Sequence, residues 1–176
     1  IEDCAHTMGA TWRGVPSGRH GALGCCLTQT YKHANSGEGG FLVTDNADLA
    51  ARSVLLSGSY MLYACHRAAP PPEVFERIRL DVPNISGRMD NLRAAILRPQ
   101  LATLAERRDR WAILYRGMET GLADTPGLRL IPRPAYEIYV GSSFQFTLPG
   151  WAPARMGDLV ARCAARGVEL KWFGAV

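Results

Sequence analysis

Gly21-Ala22-Leu23-Gly24-Cys25-Cys26-Leu27-Thr28 and Phe41-Leu42-Val43-Thr44, separated by the turn Gly37-Glu38-Gly39-Gly40, decide the fold class. Each is a short run of small or apolar residues bounded by glycine and polar residues, the pattern of a buried strand. Asp45-Asn46-Ala47-Asp48 follows with side-chain acceptors suited to a helix N-terminus, and predicts a helix from about Ala47 to Leu56. Upstream, Glu2-Asp3-Cys4-Ala5 supplies a first short strand ending in an acid. The order strand, loop, strand, turn, strand, helix is α/β and not all-β.

Further along, residues 61–83 are irregular, with Ala68-Ala69-Pro70-Pro71-Pro72 stiff and extended and a short helix expected around Glu73–Ile78. Pro83 to Gly87 reads as a loop. From Met89 to about Leu122 the spacing of Leu92, Ile96, Leu101, Leu104, Trp111, Tyr115 and Met118 predicts one long helical segment, kinked or restarted at Pro99. Beyond Thr125-Pro126-Gly127, strands are expected at Leu128–Ile131 and Ser143–Leu148. A helix is expected from Pro153 to Arg166 capped by Gly167, and a further strand at Val168–Trp172. The reading gives residues 1–122 to one α/β domain and 123–176 to the start of a small α+β domain.

Composition narrows the function classes. The 176 residues are 47% apolar and 20% charged, enough for a packed core. No apolar run is long enough to span a bilayer, and no signal peptide is visible, so no membrane partner is expected. Five cysteines, with no CxxC pair, argue against a disulfide framework or a zinc site and for free thiols in the cytoplasm. The net charge of +4 comes from 18 arginines against two lysines, Lys32 and Lys171. The arginines are dispersed and lack an aromatic-and-basic motif, so nucleic acid is not expected as a partner.

The chemistry-bearing residues lie between Glu2 and Gly40. Asp3 is followed by His6, then Lys32, then Ser36-Gly37-Glu38-Gly39-Gly40. Alone, each has an ordinary reading: a capping acid, a core histidine, a solvated lysine, a turn. The composite resembles the DegT/DnrJ/EryC1/StrS family of sugar aminotransferases. Gly9-Ala10, Gly18, Gly21 to Gly24, Val43-Thr44-Asp45, Arg88 to Ala95 and Gln100-Leu101 fall in the same order as in that family. The likeness is close over residues 1–120 and looser to 176.

The resemblance implies a type I, aspartate-aminotransferase-like α/β fold and pyridoxal 5'-phosphate as cofactor. Lys32 would form a Schiff base with the cofactor and then carry protons, which requires an amine able to shed its own. Asp3 would hold the proton on the ring nitrogen, and His6 would lie beside the ring. The reaction implied moves an amino group from Glu or Gln to a keto-sugar or keto-cyclitol, in a homodimer. Many members place a phosphate-binding Ser where this chain has Leu27, leaving Thr28 or Gln29 as replacements. Gln29 also matches a feature of members that aminate cyclitol ketones. Asn84 and Ser86 fall in a stretch that reaches across a dimer interface in relatives.

Two other readings stay open. One is a sugar dehydratase of the same family, whose members carry His in place of the lysine; the other is a non-catalytic relative that kept the fold. The family's phosphate-binding turn and ring-stacking aromatic precede the Asp3 position. The chain is therefore expected to be an internal piece of a longer enzyme, inactive by itself.

Overall fold

A computed structural model describes residues 1–174. In chain order the elements are β1 (Glu2–Asp3), β2 (Thr11–Trp12), β3 (Val15–Pro16), β4 (Gly24–Leu27), β5 (Gly40–Val43), α1 (Ala47–Leu56), α2 (Pro72–Ile78), α3 (Asn91–Ala102), α4 (Leu104–Leu122), β6 (Arg129–Leu130), β7 (Glu137–Ile138), β8 (Phe146–Thr147) and α5 (Pro153–Ala164). A 3₁₀ turn occupies Tyr63–Cys65. The chain divides into two compact units. The first holds Ile1–Arg116 and Arg133–Ser143; the second holds Gly117–Pro132 and the chain from Phe144 onward.

In the first unit, β4 lies between β1 and β5, parallel to β1 and antiparallel to β5. Gly24 opens β4 because a Cβ there would stand 2.5 Å from the Gly18 Cα. Only a glycine lets the loop backbone close over the strand. One face of this sheet buries Cys4 and Cys26 with Met8, Ala34 and Leu97, and half-buried Phe41, Val43, Met89 and Leu104 complete the cluster. Helix α1 begins as expected: the Asn46 side chain accepts from the Leu49 N–H, one of the donors that lack a partner in the first turn. Its inner face, Ala51 and Leu55, packs on Phe75 and Ile78 of α2. Phe75 is fully buried, a burial worth about 1.5–3 kcal/mol.

The structure departs from the sequence reading at three points. The Met89–Leu122 segment breaks at Thr103, not at Pro99. Pro99 only deprives the Ala95 carbonyl of its donor. The helix continues until Thr103 turns its hydroxyl back onto the Pro99 carbonyl at 3.2 Å. Val168–Trp172 is not a strand. Its residues suit one, but no described strand pairs with it, and a ladder needs a second chain segment. The third concerns Thr11–Trp12 and Val15–Pro16, which form an unforeseen hairpin that also pairs with β7. Its turn puts Arg13 at φ 50° and Gly14 at φ 79°, the two left-handed residues a tight hairpin needs.

In the second unit, β6 pairs antiparallel with β8. Helix α5 ends in the expected glycine cap. Gly167 has φ 76°, its N–H bonds the Ala164 carbonyl, and the Val168 N–H reaches the Cys163 carbonyl. Among the described residues no helix is long and apolar enough to cross a membrane.

Candidate active site

Parallel pairing sets the geometry. Because β1 and β4 run the same way, with Asp3 opposite Cys25, their C-terminal ends emerge at one edge of the sheet. Ligands of open α/β sheets bind at such edges. The chain leaving β1 carries Asp3 and His6; the chain leaving β4 carries residues 28–36. The Asp3 carboxylate accepts from the Ala5 N–H at 3.0 Å, which tightens the turn leading to His6. The Lys32 N–H bonds the Gln29 carbonyl at 2.9 Å, closing a turn over residues 29–32. From these two turns the Lys32 Nζ and the His6 Nε2 meet at 2.8 Å. Such a contact requires one proton between the two nitrogens, so one of the pair donates and the other accepts.

The lysine loop is held by several independent ties. Backbone bonds join the Thr28 N–H to Gly39 and the Ser36 N–H to Thr28. Inside the loop the Thr28 and Ser36 hydroxyls are 3.1 Å apart, and Ser36 donates onward to the Glu38 carbonyl. The Thr30 hydroxyl donates to the Gly37 carbonyl. Gln100 on α3 clamps Asn35 from outside, accepting its N–H at 3.0 Å and donating to its carbonyl at 2.7 Å. His33 points inward, bonded through Nε2 to the Ser142 hydroxyl, with its ring 5.5 Å from that of Trp111 on α4.

Burial is the first cause that pushes His33 down to about 4; the positive charges of His6, Lys32 and Arg107 add to it. The ring is therefore neutral at physiological pH. The Glu2 carboxylate gathers the N–H groups of Gly21, Gly18 and His20, which hold it below the usual carboxylate range and tie the glycine-rich loop to β1. Burial, then Cys4, pushes the Cys26 thiol up to about 12. Among the described residues no group of three or more His, Cys, Asp or Glu could hold a metal ion.

Asp3, His6 and Lys32 thus come from one sheet edge, and Gln29 is exposed on the turn before Lys32. Thr28 is buried at the base of the loop, where its hydroxyl pairs with that of Ser36 at 3.1 Å. Asn84 and Ser86 lie on the exposed loop between α2 and α3, where Ser86 accepts from the Arg88 guanidinium at 3.2 Å. His33 was missed by sequence reasoning, since it carries no motif of its own. Its partner Ser142 is far along the chain, and only the adjacency to Lys32 could have drawn attention to it.

The chain is similar to proteins of one family. Residues 1–173 match the DegT/DnrJ/EryC1/StrS aminotransferase family. An L-glutamine:scyllo-inosose aminotransferase from Streptomyces griseus is 57% identical over 53 residues, which is 30% of this chain and 12% of that protein. An L-glutamine:2-deoxy-scyllo-inosose aminotransferase from Streptomyces fradiae is 35% identical over 73% of this chain and 30% of its own length. Among solved structures, S. venezuelae DesV in complex with a ketimine intermediate superposes with a TM-score of 0.73 at 26% identity, over 94% of this chain and 40% of that one. The chain spans less than half the length of these relatives. It belongs to the DegT/DnrJ/EryC1/StrS aminotransferase family.

Proposed function

We propose that this chain is part of a pyridoxal-phosphate aminotransferase that moves the amino group of glutamine to a keto-cyclitol or related keto-sugar, with Lys32 as the residue that carries the cofactor. The observation that carries this reading is the meeting of Lys32 Nζ with His6 Nε2 at 2.8 Å on the sheet edge where β1 delivers Asp3. The donor set fits the cofactor. A half-exposed primary amine, a carboxylate and an imidazole stand at the ends of two paired parallel strands. The relatives named for glutamine and inososes support the choice of donor and acceptor.

When bound, pyridoxal phosphate supplies an electron sink for the bond broken at the donor's α-carbon. The chain's residues do the rest. Lys32 would hold the cofactor through Nζ and would take and return a proton as general base and acid. His6 accepts a proton from Lys32 Nζ, leaving the amine free to attack. Asp3 keeps a proton on the ring nitrogen through a charge-assisted hydrogen bond. Gln29, exposed on the turn before Lys32, and Thr28 at the base of the loop are proposed to serve the cofactor phosphate or the substrate. The exposed Asn84 and Ser86 are proposed to reach a partner subunit of a homodimer. A cytoplasmic setting accords with five free cysteines among the described residues.

The test is an amine-transfer assay on the full-length protein, offering glutamine or glutamate with a panel of inososes and keto-sugar nucleotides. Glutamine with an inosose should give an amino-cyclitol. No transfer to any member of the panel would overturn the reading.

A further inference from the structure

His33 is 5% exposed, immediately follows Lys32, and is the loop's one side chain whose ring lies against elements far along the chain. His33 and Ala34 are both buried, whereas Lys32 beside them is half-exposed with its amine on His6. The ring's two nitrogens are unequal. Nε2 meets the Ser142 hydroxyl, whereas Nδ1 is buried with no partner among the described residues. A site selected only for packing would favour an apolar side chain over one leaving a polar atom bare. The groups facing the ring are His6, Lys32 and Arg107, all basic, together with the Trp111 ring. A charged imidazole would add to that repulsion, so the Ser142 bond is made by the neutral form.

We propose that His33 is a positioning residue for Lys32: its bond to Ser142 and its packing on Trp111 lock the lysine loop so that the neighbouring amine is presented to His6. The inference rests on the proposed role of Lys32. The other ties act elsewhere. Thr28 and Ser36 close the base of the loop, and Gln100 clamps Asn35. His33 anchors the position next to Lys32 through its side chain, beside the Lys32 N–H bond to Gln29 that closes the turn.

Two readouts on the full-length protein test it: hydrogen exchange of residues 29–36 without cofactor, and the rate at which added pyridoxal phosphate is captured on Lys32. His33→Ala should speed loop exchange and slow capture by about tenfold each, the factor expected for loss of one buried hydrogen bond, while exchange in α1 and α2 stays unchanged. His33→Gln, which keeps a polar atom within reach of Ser142, should bring both back to within about threefold of wild type. A folded His33→Ala protein with wild-type loop exchange, or equal losses in the Ala and Gln variants, overturns the proposal. Should His33→Ala fail to fold, Ser142→Ala removes the bond and spares the ring; it should loosen the loop in the same direction, and unchanged exchange again overturns the proposal. If wild type captures no cofactor on Lys32 while loop exchange responds as stated, the proposed function falls and the bracing role stands.

Discussion

The loop between β4 and β5 and the loop between α2 and α3 both carry residues expected near the cofactor, and the chain treats them oppositely. In the first, Thr28 and Ser36 engage each other, Ser142 and Gln100 from far along the chain hold His33 and Asn35, and Lys32 is left directed at His6. In the second, Asn84 and Ser86 are exposed, and the backbone is fastened at Gly87, whose N–H bonds the Leu56 carbonyl. A residue that must present a reacting atom is fixed by neighbours that do no chemistry themselves, because misplacement by a fraction of an ångström is costly in rate. A residue proposed to meet a second subunit is displayed instead. The account therefore expects large functional effects from the first loop and small effects on the isolated chain's stability from the second.

The largest contrast lies at the amine. Lys32→Ala should lower amine transfer by about 10²–10⁴-fold, the usual share of a positioned acid–base group, even where the cofactor still binds non-covalently. Lys32→Arg should do little better, since a guanidinium stays protonated. A steady-state assay that finds either variant near wild type would erase the distinction between the loops.

Next comes pH. His33 has a folded-state value of about 4 against an ordinary 6.5, so between those values the unfolded chain holds more protons than the folded one. Stability should then rise with pH across that window, and the His33 contribution, roughly 3 kcal/mol, should be lost as pH falls from about 6.5 to about 4. Denaturant titrations of wild type and His33→Gln at several pH values isolate it: the variant's curve should be flatter on the acid side. Parallel curves would show that the buried ring is not what the loop depends on.

Asp3→Asn should follow, with a loss in turnover of about tenfold to a hundredfold from one charge-assisted hydrogen bond that matters most as charge develops in the transition state. Half-reaction rates with glutamine measure this directly, and cofactor affinity should change much less. Smaller still, Thr28→Val removes one buried hydroxyl partner and should cost about 1–2 kcal/mol of stability, whereas Asn84→Ala or Ser86→Ala should cost under about 0.5 kcal/mol. Thermal denaturation of the three variants would sharpen the comparison, and a large loss at Asn84 would reverse it.

What could be read beforehand follows the range of the interactions. Residues 24–27, 40–43 and 47–56 pair or cap with near neighbours, and glycine and Asn46 mark their limits in the sequence. The β2–β3 hairpin was hidden because its strands are two residues long, its turn uses Arg13 instead of the usual asparagine, and its other partner is Glu137–Ile138. Val168–Trp172 shows the converse: strand-like composition does not make a strand without a pairing segment. At the site, Asp3, His6 and Lys32 each have an ordinary reading alone, and the roles proposed for them come from the family resemblance of the composite. The Thr28–Ser36 contact that braces the loop joins residues eight apart and could not be read from either one alone. The His33–Ser142 bond joins residues too far apart for any local pattern.

The central claim is that the amine of Lys32, and no other, carries the cofactor. The chain has two lysines, Lys32 and Lys171, which makes the decisive measurement simple. Full-length protein is incubated with pyridoxal phosphate, reduced with borohydride, digested and mapped by mass spectrometry. The account predicts the reduced pyridoxyl group on Lys32, with Lys171 unmodified. A label on Lys171, or none at either lysine of this chain, would contradict it.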